Sequence, residues 1–139
     1  MLASEVNRAN IEKMVRTFYA MLIKDAIVGP FFIKALGDDL KNDKWHEHYK
    51  LLDNFWLMLM TGEKSYKGDP FLPHVHIGQL YEETFQRWLE LFNKHVHQHY
   101  VPEIAKKFNK KAEILAKKFM QGLEIGEGLE GKNWASYKL

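Results

Sequence analysis

An all-helical, single-domain fold is what this sequence predicts, and three observations predict it. Apolar residues recur at spacings of three and four along four long segments, no segment alternates apolar and polar residues as a half-buried strand would, and helix-breaking glycine and proline cluster between those segments. At 139 residues one domain suffices, since domains run to about 100–200 residues and a core of that size needs no disulfide or metal staple.

Asn7 is a suitable N-cap, because its side chain can accept from the first free N–H groups of a helix. After it, Ile11, Met14, Val15, Phe18, Tyr19, Leu22 and Ile23 mark one face of a first amphipathic helix. Gly29-Pro30 breaks that helix, Phe31-Phe32 follows, and Leu36-Gly37 closes one short helical turn, so a corner is expected over residues 26–41. Asn42 or Asp43 caps a second long helix that ends at Gly62 and turns Trp45, His48, Leu52, Phe55, Trp56 and Leu59 inward. Residues 61–77 contain Gly62, Gly68, Pro70 and Pro73 without a helical period and read as a long loop, the kind of connection that usually carries function. A third helix from about Gln79 to Tyr100 aligns Tyr81, Phe85, Trp88, Leu91, Phe92 and His95. Pro102 suits the first turn of a fourth, whose buried stripe is Ile104, Phe108, Ala112, Leu115 and Phe119. The domain is expected to span residues 1–125, and residues 126–139, with Gly126, Gly128 and Gly131 and no apolar period, to form a loosely ordered tail.

Composition narrows the function classes. Lys and Arg number 20 against 18 Asp and Glu, a net charge of +2, too small a field to draw in nucleic acid or a membrane surface. The basic run Lys106, Lys107, Lys110, Lys111, Lys117 and Lys118 alternates with apolar residues at helical spacing and reads as a solvated face. The absence of cysteine excludes disulfides, iron–sulfur clusters and covalent haem attachment. The longest apolar run, residues 55–60, is too short to span a bilayer and the first ten residues lack a secretory pattern, so a cytoplasmic location is expected. Aromatic residues make up 14 % of the chain, which suits either a thick core or a flat apolar ligand.

Seven histidines fall in three groups, His46/His48, His74/His76 and His95/His97/His99. His95 and His99 are one helical turn apart and can chelate a metal in principle, though the His-Glu-x-x-His pattern of a hydrolytic zinc site is absent. His74 and His76 can chelate if extended, but no third ligand is evident nearby. A haem asks for one axial nitrogen, an apolar slot and an open position opposite. His74, in the loop between two amphipathic helices, can reach such a slot walled by the second, third and fourth long helices, with His48 on the opposite side.

Six landmarks occur in order: Phe18-Tyr19, Gly29-Pro30-Phe31-Phe32, Trp45-His46-Glu47-His48, Asn54-Phe55-Trp56, Pro73-His74 and Arg87-Trp88-Leu89. Together they resemble the truncated globins, and within them the third group, over roughly residues 7–122. The paired glycines of the other groups are missing here. The resemblance implies a globin-like, two-over-two helical sandwich around haem b, with His74 as the proximal iron ligand. Tyr19, His48 and Trp88 match the family's distal polar set, Leu52 matches an apolar position above the ring, and Phe32 matches the aromatic residue packed on the haem at the corner. Phe55 and Trp56 would line the pocket wall.

It further implies reversible binding of O₂, NO or CO at ferrous iron, with Tyr19 and Trp88 donating hydrogen bonds and His48 gating access. A haem enzyme that oxidises nitric oxide or cleaves peroxide is the alternative. It would draw electrons from a separate reductase, since no nucleotide-binding fingerprint is present. A helical adaptor without haem is the third possibility, and it predicts a colourless protein.

Overall fold

The structure is a computed structural model and describes residues 1–66 and 81–122. Five helices occur among them: α1 (Arg8–Leu22), α2 (Gly29–Leu36), α3 (Asp43–Thr61), α4 (Glu82–His99) and α5 (Pro102–Gly122). Helix α1 packs on α3 and α4 packs on α5, and the two pairs are stacked through α1–α4 and α3–α5 contacts. This is the two-over-two arrangement expected.

The first helix forms for the reasons its sequence contains. Asn7 accepts from the Asn10 amide at 2.9 Å while the Asn10 side chain accepts from the Asn7 amide at 3.1 Å, so two otherwise orphaned donors are satisfied reciprocally. Ile11, Met14, Val15, Phe18, Tyr19 and Leu22 are all buried. Helix α3 starts at Asn42, whose side chain accepts from the Trp45 amide at 2.8 Å, and it stops at Gly62, where φ is +80°, a conformation glycine adopts without strain. In α5, Ala105, Phe108, Ala112, Leu115, Ala116 and Phe119 are buried, and Lys106, Lys107, Lys110 and Lys117 are exposed as a solvated face, with Lys118 half-buried at its edge.

Two expectations are corrected. Residues 29–36 form an eight-residue helix rather than a single turn within an irregular corner. Pro30 sits in the first turn of α2, where its missing N–H costs nothing and its fixed φ is already helical, so the dipeptide that ends one helix begins the next. Tyr81 was expected on the inward side of the third long helix, but it is the N-cap of α4 and 52 % exposed, because the chain is still extended there. Residues 67–80 and 123–139, including the end of the expected loop and the tail, lie outside the described residues.

Among the described residues, two ion pairs join separate parts of the fold. Arg16 of α1 reaches both carboxylate oxygens of the buried Asp53 of α3 at 3.2 and 3.1 Å. Before α2, Asp25 accepts from the Ile27 and Val28 amides at 3.1 Å through one oxygen and from Arg87 of α4 at 2.9 and 3.0 Å through the other. The corner is thereby tied to the helix that carries Trp88.

Candidate functional site

All five helices contribute to one apolar cleft. Tyr19 comes from α1, Val28, Phe31 and Phe32 from α2 and the turn before it, and His48, Leu51, Leu52, Phe55 and Trp56 from α3. Thr84, Phe85 and Trp88 of α4 and Ala112, Leu115, Ala116 and Phe119 of α5 complete the wall, with Tyr66 beyond the end of α3. Counted out to its mouth, open solvent included, the cleft encloses about 1180 Å³.

Every cleft residue expected from the sequence and present among the described residues is there: Tyr19, Phe32, His48, Leu52, Phe55, Trp56 and Trp88. His74 and His76 lie outside the described residues. Sequence reasoning assigned no pocket role to Ala112 and Ala116, yet their spacing of four on α5 puts two methyl groups where larger side chains would fill the cleft. Thr84 and Tyr66 were also missed, and neither carries a local signal of its position.

The aromatic residues are arranged in two groups. Behind the cleft, Phe92 is stacked between Trp88 and Trp56, with centroid distances of 4.7 and 5.0 Å and interplanar angles of 15° and 19°. Phe18 meets Trp88 edge-on at 5.5 Å. This packed layer fixes both indoles in place. The second group surrounds His48, whose ring lies 5.7 Å from Tyr19, 6.2 Å from Phe32 and 5.6 Å from Trp45. Trp45 is in turn anchored by a 2.8 Å hydrogen bond from its indole N–H to the Gly37 carbonyl.

Tyr19 is buried, and burial pushes its phenol well above the ordinary range. A hydrogen bond from Trp88 works in the opposite direction and is outweighed. The phenol therefore keeps its proton at any physiological pH and remains a donor.

His95 and His99 do not line the cleft. They face α1, where their Nε2 atoms approach the Thr17 hydroxyl at 2.9 and 3.1 Å. Burial, with help from the neighbouring His99, pushes His95 down to about 4, so its ring is neutral at pH 7. No group of three or more His, Cys, Asp or Glu side chains able to hold a metal occurs among the described residues.

A flat apolar group suits this cleft. Its walls are mostly rings and aliphatic side chains, and its few polar groups, Tyr19, His48, Trp88 and Thr84, are contributed by three helices. No helix among the described residues is long and apolar enough to cross a membrane. Fold and cleft together define an all-helical protein with an apolar, aromatic-lined cleft to which all five helices contribute.

Comparison with known proteins names the class. The chain is 30 % identical over 118 residues to the group 3 truncated hemoglobin ctb of Campylobacter jejuni, a match that covers 85 % of this chain and 91 % of that protein. It superposes on the crystal structure of a group III truncated hemoglobin from Campylobacter jejuni with a TM-score of 0.80 and 30 % identity, covering 88 % of this chain and 95 % of the other. No family model matches the chain. The chain belongs to the group 3 truncated haemoglobins, globin-type haem proteins.

Proposed function

We propose that this protein holds haem b non-covalently in the cleft, with His74 as the proximal ligand, and binds O₂ and related diatomic molecules reversibly. When bound, the haem supplies a ferrous iron that takes one such molecule. The observation that carries the reading is the convergence, on one cleft, of a protonated buried phenol, an imidazole and an indole from three different helices. Phe32, Leu52, Phe55 and Trp56 supply apolar surface for the faces and edges of the ring. The globin unit in this reading is residues 1–125, with 126–139 as an extension.

The chain's own polar groups act as follows. Trp88 donates toward the Tyr19 oxygen, which leaves the phenolic proton to be directed into the cleft. A polarised diatomic molecule there accepts from Tyr19 and, after a small shift, from the Trp88 indole. Each such bond is worth about 1–3 kcal/mol in a dry site, so the pair slows escape by orders of magnitude. His48 borders both the cleft and the exposed side of α3, a position from which its ring gates access.

The test is the absorption spectrum of the dithionite-reduced protein with and without CO, in the wild type and in His74→Ala. A sharp Soret band of the CO form in the wild type, weakened or shifted in the variant, is the expected result. A wild type that takes up no haem overturns the reading. An unchanged spectrum in His74→Ala overturns the ligand assignment alone.

A further inference from the structure

Behind the layer formed by Phe18, Trp88 and Phe92, two imidazoles and two oxygens come together outside the cleft. His95 and His99 occupy one side of α4 a single turn apart, with ring centroids 4.5 Å from each other. Their Nε2 atoms approach the same atom, Thr17 Oγ1 of α1, at 2.9 and 3.1 Å. His95 Nε2 also lies 3.1 Å from the Met14 carbonyl oxygen, which is 3.2 Å from Thr17 Oγ1. We propose that His95 and His99, with the Thr17 hydroxyl, form a site for a divalent cation of the zinc class that bridges α1 and α4.

The chemistry of the donors selects that class. Two histidines at i and i+4 are the arrangement by which a helix presents two nitrogens to one metal, and imidazole suits zinc, copper and nickel rather than calcium or magnesium. Metal–nitrogen distances of about 2.0–2.1 Å imply donor–donor edges of ~3.0 Å in an octahedron and ~3.4 Å in a tetrahedron. The spacings from the two Nε2 atoms to Thr17 Oγ1, 2.9 and 3.1 Å, match the first and fall a few tenths of an ångström short of the second. Without the ion the same atoms are joined by hydrogen bonds, with His95 Nε2–H donating to Met14 and Thr17. For binding, that proton exchanges to Nδ1 and the cation takes its place.

Solvent reaches the site, because Thr17 is exposed and His99 half-buried, so water completes the coordination. No third His, Cys, Asp or Glu joins the pair among the described residues. The Lys13 charge acts on His99 from the preceding turn of α1 and opposes a cation. Both features set a modest affinity, that of a two-imidazole chelate rather than a closed structural zinc centre.

The experiment is a zinc chloride titration of the haem-loaded ferrous–CO protein, followed by calorimetry and by imidazole ¹H–¹⁵N NMR in the same diamagnetic state. One site per chain is expected, with the Nε2 resonances of His95 and His99 shifting together. Affinity should fall at least about tenfold in His99→Gln and hold in His97→Gln, an exposed histidine of the same helix. Zinc should also raise the unfolding temperature of the wild type more than that of His99→Gln. No saturable binding, equal affinity in His99→Gln, or shifts confined to other histidines would each overturn the proposal and leave the pair as a hydrogen-bonded clasp. The NMR readout on the wild type decides even if the variant fails to fold.

Discussion

Arg16→Met tests whether the α1–α3 pair is held by a buried carboxylate that needs its cation. Arg16 Nη1 lies 3.2 and 3.1 Å from the two Asp53 oxygens, donates to the Glu12 carbonyl at 3.0 Å, and the guanidinium sits 5.0 Å from the Tyr49 ring centroid. The Asp53 side chain is 4 % exposed and that of Arg16 41 %. Exposed ion pairs contribute about 0–1 kcal/mol, whereas breaking a fully buried pair costs about 3–5 kcal/mol. A pair with one partner buried and the other partly in water falls between, so the expected loss is about 2 kcal/mol, and methionine retains most of the packing over Tyr49.

The pH dependence gives the sharper test. Burial already pushes the Asp53 carboxyl up, with the Arg16 charge working against it, so removing Arg16 raises it further. A raised carboxyl means the native state keeps its proton to higher pH than the unfolded chain does. The cost of Arg16→Met should therefore be full at pH 7.5 and shrink as the pH falls toward the carboxylate range. The assay is urea unfolding followed by far-ultraviolet circular dichroism at both ends of that range, with Arg16→Met/Asp53→Asn as companion. Recovery of at least half the loss is expected in the double variant. A loss below about 0.5 kcal/mol at pH 7.5, or a double variant as unstable as the single one, would refute the reasoning.

Tyr19→Phe and Trp88→Phe should each speed O₂ escape about tenfold or more, measured by stopped-flow replacement with CO; rates within twofold of wild type would remove these residues from the distal set. Gly29→Ala should destabilise by about 1–3 kcal/mol, since a Cβ there would lie 2.4 Å from the Ile23 carbonyl oxygen, a backbone atom that cannot swing aside; an unchanged thermal midpoint would contradict the close approach. Arg87→Ala should lower stability at neutral pH, with the gap from wild type closing in acid. Its hydrogen bond holds the Asp25 carboxyl below the usual range, so that contribution is present above the carboxylate range and lost as the pH falls through it. A gap that persists in acid urea titrations would show that the pair acts through packing instead.

Legibility in the sequence followed how many neighbours a helix has. In α1 each of Ile11, Met14, Val15, Phe18, Tyr19 and Leu22 is read inward and found buried, because the helix buries one stripe and its periodicity reports it. Helix α3 is used on two sides. Leu52, Phe55 and Trp56 line the cleft, while Tyr49 and Asp53 meet Arg16 of α1, so a single apolar stripe describes only half of what is buried. A buried aspartate looks like a surface residue until its partner, 37 positions earlier, is seen beside it. Pro30 misled for another reason, since the same missing N–H that ends a helix suits the start of one.

The cleft was legible only through the ordered landmarks of the family, and the structure adds why they belong together. Tyr19, His48 and Trp88 come from three helices, and no local spacing relates them. What relates them is a set of contacts the periodicity does not contain: Phe92 between the two indoles, Phe18 against Trp88, and Trp45 beside both Tyr19 and His48. Asp53 neighbours Leu52 of the cleft, and Arg16 is one turn before Tyr19 on α1. Arg16→Met would leave the Asp53 carboxylate buried without its cation between the helices of Tyr19 and His48, so it should alter ligand escape as well as stability, and Asp53→Asn, by removing that charge, should recover part of both.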